Sequence, residues 1–160
     1  MHGPGGATAV GLVVLALLVV RQFRQRPALG GGAVPMLCVL AALGVVALVF
    51  GVLSVTKARP PAALTIALLV AGQVMAAGFG AARGATTRVW RDGDGTVLRQ
   101  GTAATAVLWL LSIGAHIGLD AWIDHTTGTG LLGPATIYLY LAVTLGTQYL
   151  VVRRRAVALG

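Results

Sequence analysis

The sequence contains no glutamate and only four acidic residues, all aspartates, and charged residues make up 10% of its 160 positions. An ordinary soluble domain has about 25% charged residues. So little charge, with 57% hydrophobic residues and a mean hydropathy of +0.87, excludes a soluble globular domain, a disordered chain and a collagen-like fibre. The composition therefore predicts an integral membrane protein, with residues 1–160 forming a single membrane domain.

Cysteine is nearly absent, since Cys38 is the only one in the chain. One cysteine excludes an internal disulfide, a CxxC redox pair and a cysteine-rich zinc site. Cys38 lies within the apolar stretch 36–46, so we expect its side chain to be buried by packing.

The scarcity of acids leaves a formal net charge of +8. In a soluble protein such a basic balance would indicate nucleic-acid binding, but no pattern of alternating aromatic and basic residues accompanies it. Basic residues beside apolar segments instead orient a protein in the bilayer and contact anionic headgroups. We therefore expect membrane lipids, and no nucleic acid, as partners.

Five apolar segments have the length of membrane spans, which need about 20 residues each. They cover residues 7–20, 34–55, 62–82, 102–123 and 131–152. The first could instead be a cleaved signal peptide, but no basic residue precedes it and arginines follow it, which favours a retained helix. The predicted fold class is an all-α bundle of five transmembrane helices.

The basic residues also predict the orientation of the chain. With the N-terminus outside, the outer loops carry only Lys57 and Arg59. The inner side then carries Arg21, Arg24, Arg26, Arg83, Arg88, Arg91, Arg99, Arg153, Arg154 and Arg155. By the positive-inside rule we expect a multi-pass protein of the cell membrane, with its N-terminus outside and its C-terminus in the cytoplasm.

Residues 86–100, between the third and fourth predicted helices, form the longest polar stretch. β-Branched and aromatic residues there flank the turn sequence Asp92-Gly93-Asp94-Gly95, which predicts a short cytosolic β-hairpin. The alternative is an ion or phosphate loop, but the later ligands and the closing glutamate of a calcium loop are missing. The candidate partner surface on this hairpin comprises Arg88, Trp90, Arg91 and Arg99.

Several short motifs of this region occur in a familiar order. They are Thr87-Arg88-Val89-Trp90, Asp94-Gly95-Thr96-Val97 and Gly101-Thr102, followed by Trp109 in an apolar helix. Over residues 80–120 the chain resembles the CcdC-like small bacterial integral membrane proteins, a group largely of unknown function. The family name links it loosely to cytochrome c maturation, but the single cysteine departs from thiol relay chemistry, which needs a partner thiol.

Polar residues recur every fourth position in the last two segments, and such residues are costly inside a membrane. One stripe is Ser112, His116, Asp120 and Asp124, and the other is Thr136, Tyr140, Thr144 and Gln148. Each stripe occupies one face of its helix. We expect the two stripes to face each other and, with Gln73 and Trp109, to line an outward-opening polar cleft.

Several interpretations of this cleft remain open. The polar side chains could serve as hydrogen bonds between helices. Alternatively, His116 and Asp120 could be catalytic acid–base residues acting on a lipophilic small molecule. A metal site that adds Asp124 or His125, and proton or ion conduction, are further alternatives, but two ligands at helical spacing are a weak signal. We predict no metal and no cofactor.

Two function classes follow from the sequence. The first is a non-catalytic accessory or scaffold protein that binds a protein partner through its hairpin. The second is a small intramembrane enzyme acting on a lipophilic substrate such as an isoprenoid. In either case the stripe of small residues Gly72, Ala76, Gly80 and Gly84 predicts close approach between helices of the same chain.

Overall fold

The computed structural model describes residues 20, 23–30, 32–55, 62–127 and 132–159. These residues form four helices and three short strands. The helices are α1 (Ala33–Val55), α2 (Ala62–Thr86), α3 (Ala103–Thr127) and α4 (Leu132–Val157). The strands are β1 (Arg26–Pro27), β2 (Arg88–Arg91) and β3 (Val97–Gln100).

Within the described residues, three helices are long and apolar enough to cross a membrane. Their spans are 33–50, 66–86 and 103–123, with mean hydropathies of 2.7, 1.5 and 1.6. The described part of α4 is more polar because it contributes buried Thr136, Tyr140, Thr144 and Gln148 to the interior. The structure therefore does not support the prediction of five transmembrane helices, and segment 7–20 lies outside the described residues apart from Val20.

Three of the described helices end later than the sequence predicts. The predicted ends at 82, 123 and 152 correspond to observed ends at Thr86, Thr127 and Val157. For α2 the prediction stopped the helix at its first charged residue, Arg83. A helix can continue past a charge that finds a partner, and α2 does so for one further turn.

Helix α4 is the centre of the bundle, because it packs extensively against both α1 and α2. Helix α3 packs mainly on α2 and makes a smaller contact with α4. Glycines permit the closest approaches: a Cβ at Gly44 would lie 2.7 Å from the Leu139 backbone nitrogen, and one at Gly84 would lie 2.6 Å from Val151 Cβ. The predicted role of the small-residue stripe is confirmed for Gly80 and Gly84, both of which face α4.

Helix α1 contacts the rest of the bundle along one side only, so most of its surface is exposed. Val39, Leu43 and Val46 are among its exposed apolar side chains. Cys38 is exposed as well, and the expectation that it is buried was therefore wrong.

The predicted hairpin is present and pairs β2 with β3. Asp92 and Thr96 close its turn with a backbone hydrogen bond of 2.8 Å, and Gly95 adopts the positive φ of 86° that favours glycine. The Asp94 carboxylate accepts a hydrogen bond from the Thr96 backbone N–H, and this bond lowers the pKa of Asp94. The side chain of Asp94 thus stabilises the turn of the hairpin.

A third strand, which the sequence analysis did not predict, completes the sheet. The strand order is β1-β3-β2 and both pairings are antiparallel, with Arg26 opposite Arg99 and Val89 opposite Arg99. The sheet therefore ties the segment before α1 to the connection between α2 and α3.

The sheet is docked onto the ends of the helices. Ala28 and Val97 pack with Val152 and Ala156 of α4 in one buried apolar cluster. The Arg155 Nη1 group donates to the carbonyl oxygens of Gly84, Ala85 and Thr87 at 2.8, 2.9 and 2.7 Å. Because the last carbonyls of a helix lack intrahelical partners, Arg155 caps α2 from another helix.

Helix α3 begins with a reciprocal cap that also holds it to α2. The Thr102 hydroxyl accepts the Thr105 N–H at 3.3 Å, and the Thr105 hydroxyl accepts the Thr102 N–H at 3.1 Å. The Thr102 hydroxyl in turn lies 3.0 Å from the carbonyl oxygen of Thr86. Thr86 precedes the hairpin and Thr102 follows it, so this hydrogen bond joins the two ends of the hairpin. The bundle end that carries the three strands is called the sheet end below.

The close contact at Gly80 predicts a difference between two glycines of α2. A Cβ at Gly80 would clash with the Thr144 carbonyl oxygen, whereas a Cβ at Gly78 meets nothing within 4 Å. We expect Gly80→Ala to lower the free energy of unfolding by about 1–3 kcal/mol, as overpacked interiors do. The matched control Gly78→Ala should be neutral or stabilise by up to about 1 kcal/mol. Unfolding in detergent micelles measures both, and equal stabilities would contradict the packing described.

Candidate functional site

The two predicted polar stripes meet at the centre of the bundle. The Ser112 hydroxyl lies 2.7 Å from the Tyr140 hydroxyl, which also lies 2.9 Å from the Ser112 carbonyl oxygen. The rings of Tyr140 and His116 stack with their centroids 4.3 Å apart. His116 Nε2 lies 3.3 Å from Asp120 Oδ2, one turn further along α3. The prediction that the stripes of α3 and α4 face each other is confirmed for these residues.

These side chains do not surround an open cleft. The cavity that Gln73, His116, Asp120 and Tyr140 share with neighbouring leucines has a volume of only about 20 Å³. That volume is of the order needed for one water molecule. The predicted outward-opening cleft is therefore closed in this structure. The fourth member of the α3 stripe, Asp124, has its side chain outside the described residues.

Trp109 and Thr144 lie at a different place, around the buried side chain of Arg83. Arg83 is 0% exposed, and its guanidinium carbon lies 4.2 Å from the centroid of the Trp109 ring. Its Nη2 donates a hydrogen bond of 2.8 Å to the Thr144 hydroxyl. These contacts join α2, α3 and α4, and the guanidinium makes a cation–π contact with the Trp109 ring.

Arg83 is the main buried residue that the sequence analysis missed as part of a site. It was counted as a basic residue flanking its segment, because positive charges normally mark the inner end of a span. Its spacing offers a signal: Arg83 follows the fully buried Ala76 by two helical turns and so shares its face. Among the described residues, the Arg83 nitrogens Nε and Nη1 have no hydrogen-bond partner.

Gln148, predicted to line the same cleft, lies instead in a larger pocket at the sheet end. This pocket, called the basic pocket below, has a volume of about 540 Å³. Its wall combines arginines, polar groups and apolar side chains, including Arg24, Arg26, Arg99, Gln148, Met36, Leu37, Leu145 and Tyr149. The structure therefore divides the described residues of the predicted cleft among three places: a closed polar centre, the Arg83 contact and the basic pocket.

Two arginines face each other inside the basic pocket. Arg26 and Arg99 are opposite partners in the β1–β3 pairing, so their side chains share one face of the sheet. Burial, and then the charge of Arg26, lower the pKa of Arg99. Like charges directly opposite each other destabilise a sheet. Because Arg24, Arg26 and Arg99 line the pocket and no acidic residue does, the pocket is strongly electropositive. Arg99 belongs to it, whereas the sequence analysis placed Arg99 on the partner surface.

The other predicted surface residues lie on β2. Arg88 is exposed, and its guanidinium carbon lies 5.6 Å from the centroid of the Trp90 ring. Both side chains lie on the face of the sheet opposite Val89, which packs toward the helices. Arg91 is exposed too and donates a hydrogen bond of 2.6 Å to the Leu159 carbonyl oxygen. Arg88 and Trp90 thus form an outward-facing patch, and Arg91 fastens the sheet to the C-terminal end.

The described residues contain no group of three or more histidine, cysteine, aspartate or glutamate side chains placed to hold an ion. The side chain of Asp124, one candidate ligand of the metal alternative, lies outside them.

Comparison of the chain with family models, with curated proteins and with solved structures finds no match in any of the three.

The Arg83 contact predicts a coupling between two positions. Thr144→Val keeps the shape of the side chain but removes the acceptor of the Arg83 hydrogen bond. A buried guanidinium left without that acceptor should cost about 1–3 kcal/mol in the free energy of unfolding. In an Arg83→Met background the same substitution should cost less than about 0.5 kcal/mol, because no buried charge then remains to be satisfied. A double-mutant cycle measured by unfolding in micelles gives both values, and additive effects would contradict the contact.

Proposed function

We propose that this protein is an integral membrane accessory protein, whose docked sheet presents Arg88 and Trp90 to an acidic surface on a protein partner. The observation that carries the proposal is the attachment of the sheet to the helix ends through Arg155 and the apolar cluster around Val97. An isolated hairpin is only marginally stable in water. One fastened to the ends of α2 and α4 offers a partner a surface that is already ordered, which lowers the entropic cost of binding.

The charge distribution supports an acidic partner. Arg88 and Arg91 are exposed, and the α4 end nearby adds exposed Arg153 and Arg154. The nearest acids in the chain, Asp92 and Asp94, lie in the turn, where Asp94 is engaged by Thr96. Complementary charge accelerates encounter and selects partners, and an aromatic residue beside arginine is a common centre of binding energy.

The orientation of the chain in the membrane belongs to the same proposal. Because arginines concentrate at the sheet end, the positive-inside rule places this end in the cytoplasm, with the N-terminus outside. The resemblance to CcdC-like membrane proteins over residues 80–120, which include the hairpin and most of α3, belongs to the same proposal.

An intramembrane enzyme built on His116 and Asp120 has weaker support. Sites for small molecules occupy about 300–1,000 Å³, whereas the cavity at this pair is about 20 Å³. Tyr140 covers His116 by stacking on its ring and is itself held by Ser112. A lipophilic substrate would have to separate helices that are joined by these contacts.

Photo-crosslinking from the outward face tests the accessory role. A photoreactive amino acid is placed at position 88 in intact membranes, with position 117 as the control because Ile117 is exposed on the apolar surface of α3. We expect position 88 to give a protein adduct of discrete mass that Trp90→Ala reduces at least fivefold, and position 117 to give lipid adducts. The same adduct pattern from both positions would overturn the proposal.

Substitution of the buried pair distinguishes the enzyme alternative. His116→Ala and Asp120→Asn are purified beside the wild type, and the lipophilic molecules that each retains are compared by mass spectrometry. For an accessory protein we expect the same extracted molecules from all three proteins and undiminished crosslinking from position 88. A compound bound or converted by the wild type, and missing from both folded variants, would support an enzyme instead.

A further inference from the structure

We propose that the basic pocket is a binding site for the phosphate headgroup of an anionic membrane lipid. The pocket lies on the helix-facing side of the sheet, whereas Arg88 and Trp90 face outward. The inference therefore goes beyond the proposed partner surface and does not depend on it.

The positive charge of the basic pocket is not compensated by acidic side chains in the described residues. Arg26 and Arg99 oppose each other across β1 and β3, and Arg24 lines the same pocket. No acidic residue lines the pocket, and none of these arginines forms an ion pair within the described residues. Half-burying two like charges is unfavourable unless an anion offsets them. A phosphate group is suited to this, because its oxygens accept paired hydrogen bonds from several guanidinium groups.

The wall of the basic pocket is amphipathic. Met36, Leu37 and Leu145 line the pocket beside the arginines. Helix α1 begins at Ala33, and its first apolar stretch is a candidate membrane span. The pocket thus lies where the hydrocarbon region gives way to headgroups. A lipid could place its phosphate among the arginines and its acyl chains along the exposed side of α1.

The basic pocket also has the volume of a lipid headgroup and contains a buried hydrogen-bond acceptor. A pocket of about 540 Å³ is much larger than a free phosphate ion requires and suits a headgroup with part of its glycerol backbone. Gln148 is only 8% exposed and lines the pocket, and its Oε1 atom has no hydrogen-bond partner in the described residues. A headgroup hydroxyl would satisfy this atom, which favours a glycerol-type headgroup.

Lipid binding to the purified full-length protein tests the proposal. Native mass spectrometry from non-ionic detergent measures the affinity for phosphatidylglycerol, with phosphatidylcholine and inorganic phosphate as comparison probes. The site variant is the double substitution Arg26→Gln and Arg99→Gln. The matched control is Arg153→Gln with Arg154→Gln, which removes the same charge from exposed residues of α4. If the double site variant fails to fold, the single substitution Arg24→Gln tests the lipid site instead, because Arg24 is exposed and lies outside the strands.

We expect one tightly bound phosphatidylglycerol on the wild type, at least tenfold weaker binding in the double site variant, and a loss of about threefold in Arg24→Gln. The control should stay within twofold of the wild type. Millimolar inorganic phosphate should not displace the lipid, and phosphatidylcholine should bind at least fivefold more weakly. An equal loss in the control, equal binding of phosphatidylcholine, or displacement by inorganic phosphate would each overturn the assignment.

Discussion

The packing of the Arg83 guanidinium between Trp109 and Thr144 organises the sheet end of the bundle. A buried arginine must place its charge against aromatic faces and acceptors, because desolvation is otherwise too costly. This requirement fixes α2 against α3 and α4 at one level. Helix α2 ends just beyond Arg83, where the Thr87 hydroxyl donates a hydrogen bond of 2.7 Å to the Arg83 carbonyl oxygen. Arg155 then caps the freed carbonyls and so holds the strand that follows.

Close packing of the helices explains why the polar interior is divided. Helices α2 and α4 approach closely at Gly80 and Gly84, which leaves no room for a continuous cleft between them. Across the neighbouring interface between α3 and α4, the hydroxyl groups of Ser112 and Tyr140 satisfy each other by hydrogen bonding. In the part of the chain that the structure describes, a pocket of about 540 Å³ opens at the sheet end, between β1, β3 and the helices. Room for a ligand and a concentration of positive charge therefore coincide in one place.

The small sheet has two faces with different surroundings. Its inner face packs Val89 and Val97 on the end of α4 and holds Arg26 and Arg99 over the basic pocket. Its outer face carries Arg88 and Trp90. Alternation along a strand produces this division from only four residues each in β2 and β3. Lipid binding on one face and partner binding on the other would then act through the same rigid element.

Composition and local pattern alone determined the membrane character, four of the helical segments and the hairpin. The length of an apolar segment, and the positive φ that the turn requires at Gly95, depend only on residues close together in the chain. Four-residue spacing likewise placed Ser112 and Tyr140 on facing stripes. Only the tertiary structure decided that Arg83 is buried, that Gln148 belongs to another pocket, and that β1 adds a third strand. Each depends on residues far apart in the chain, and no local pattern encodes which distant acceptor, aromatic ring or strand edge a side chain will meet.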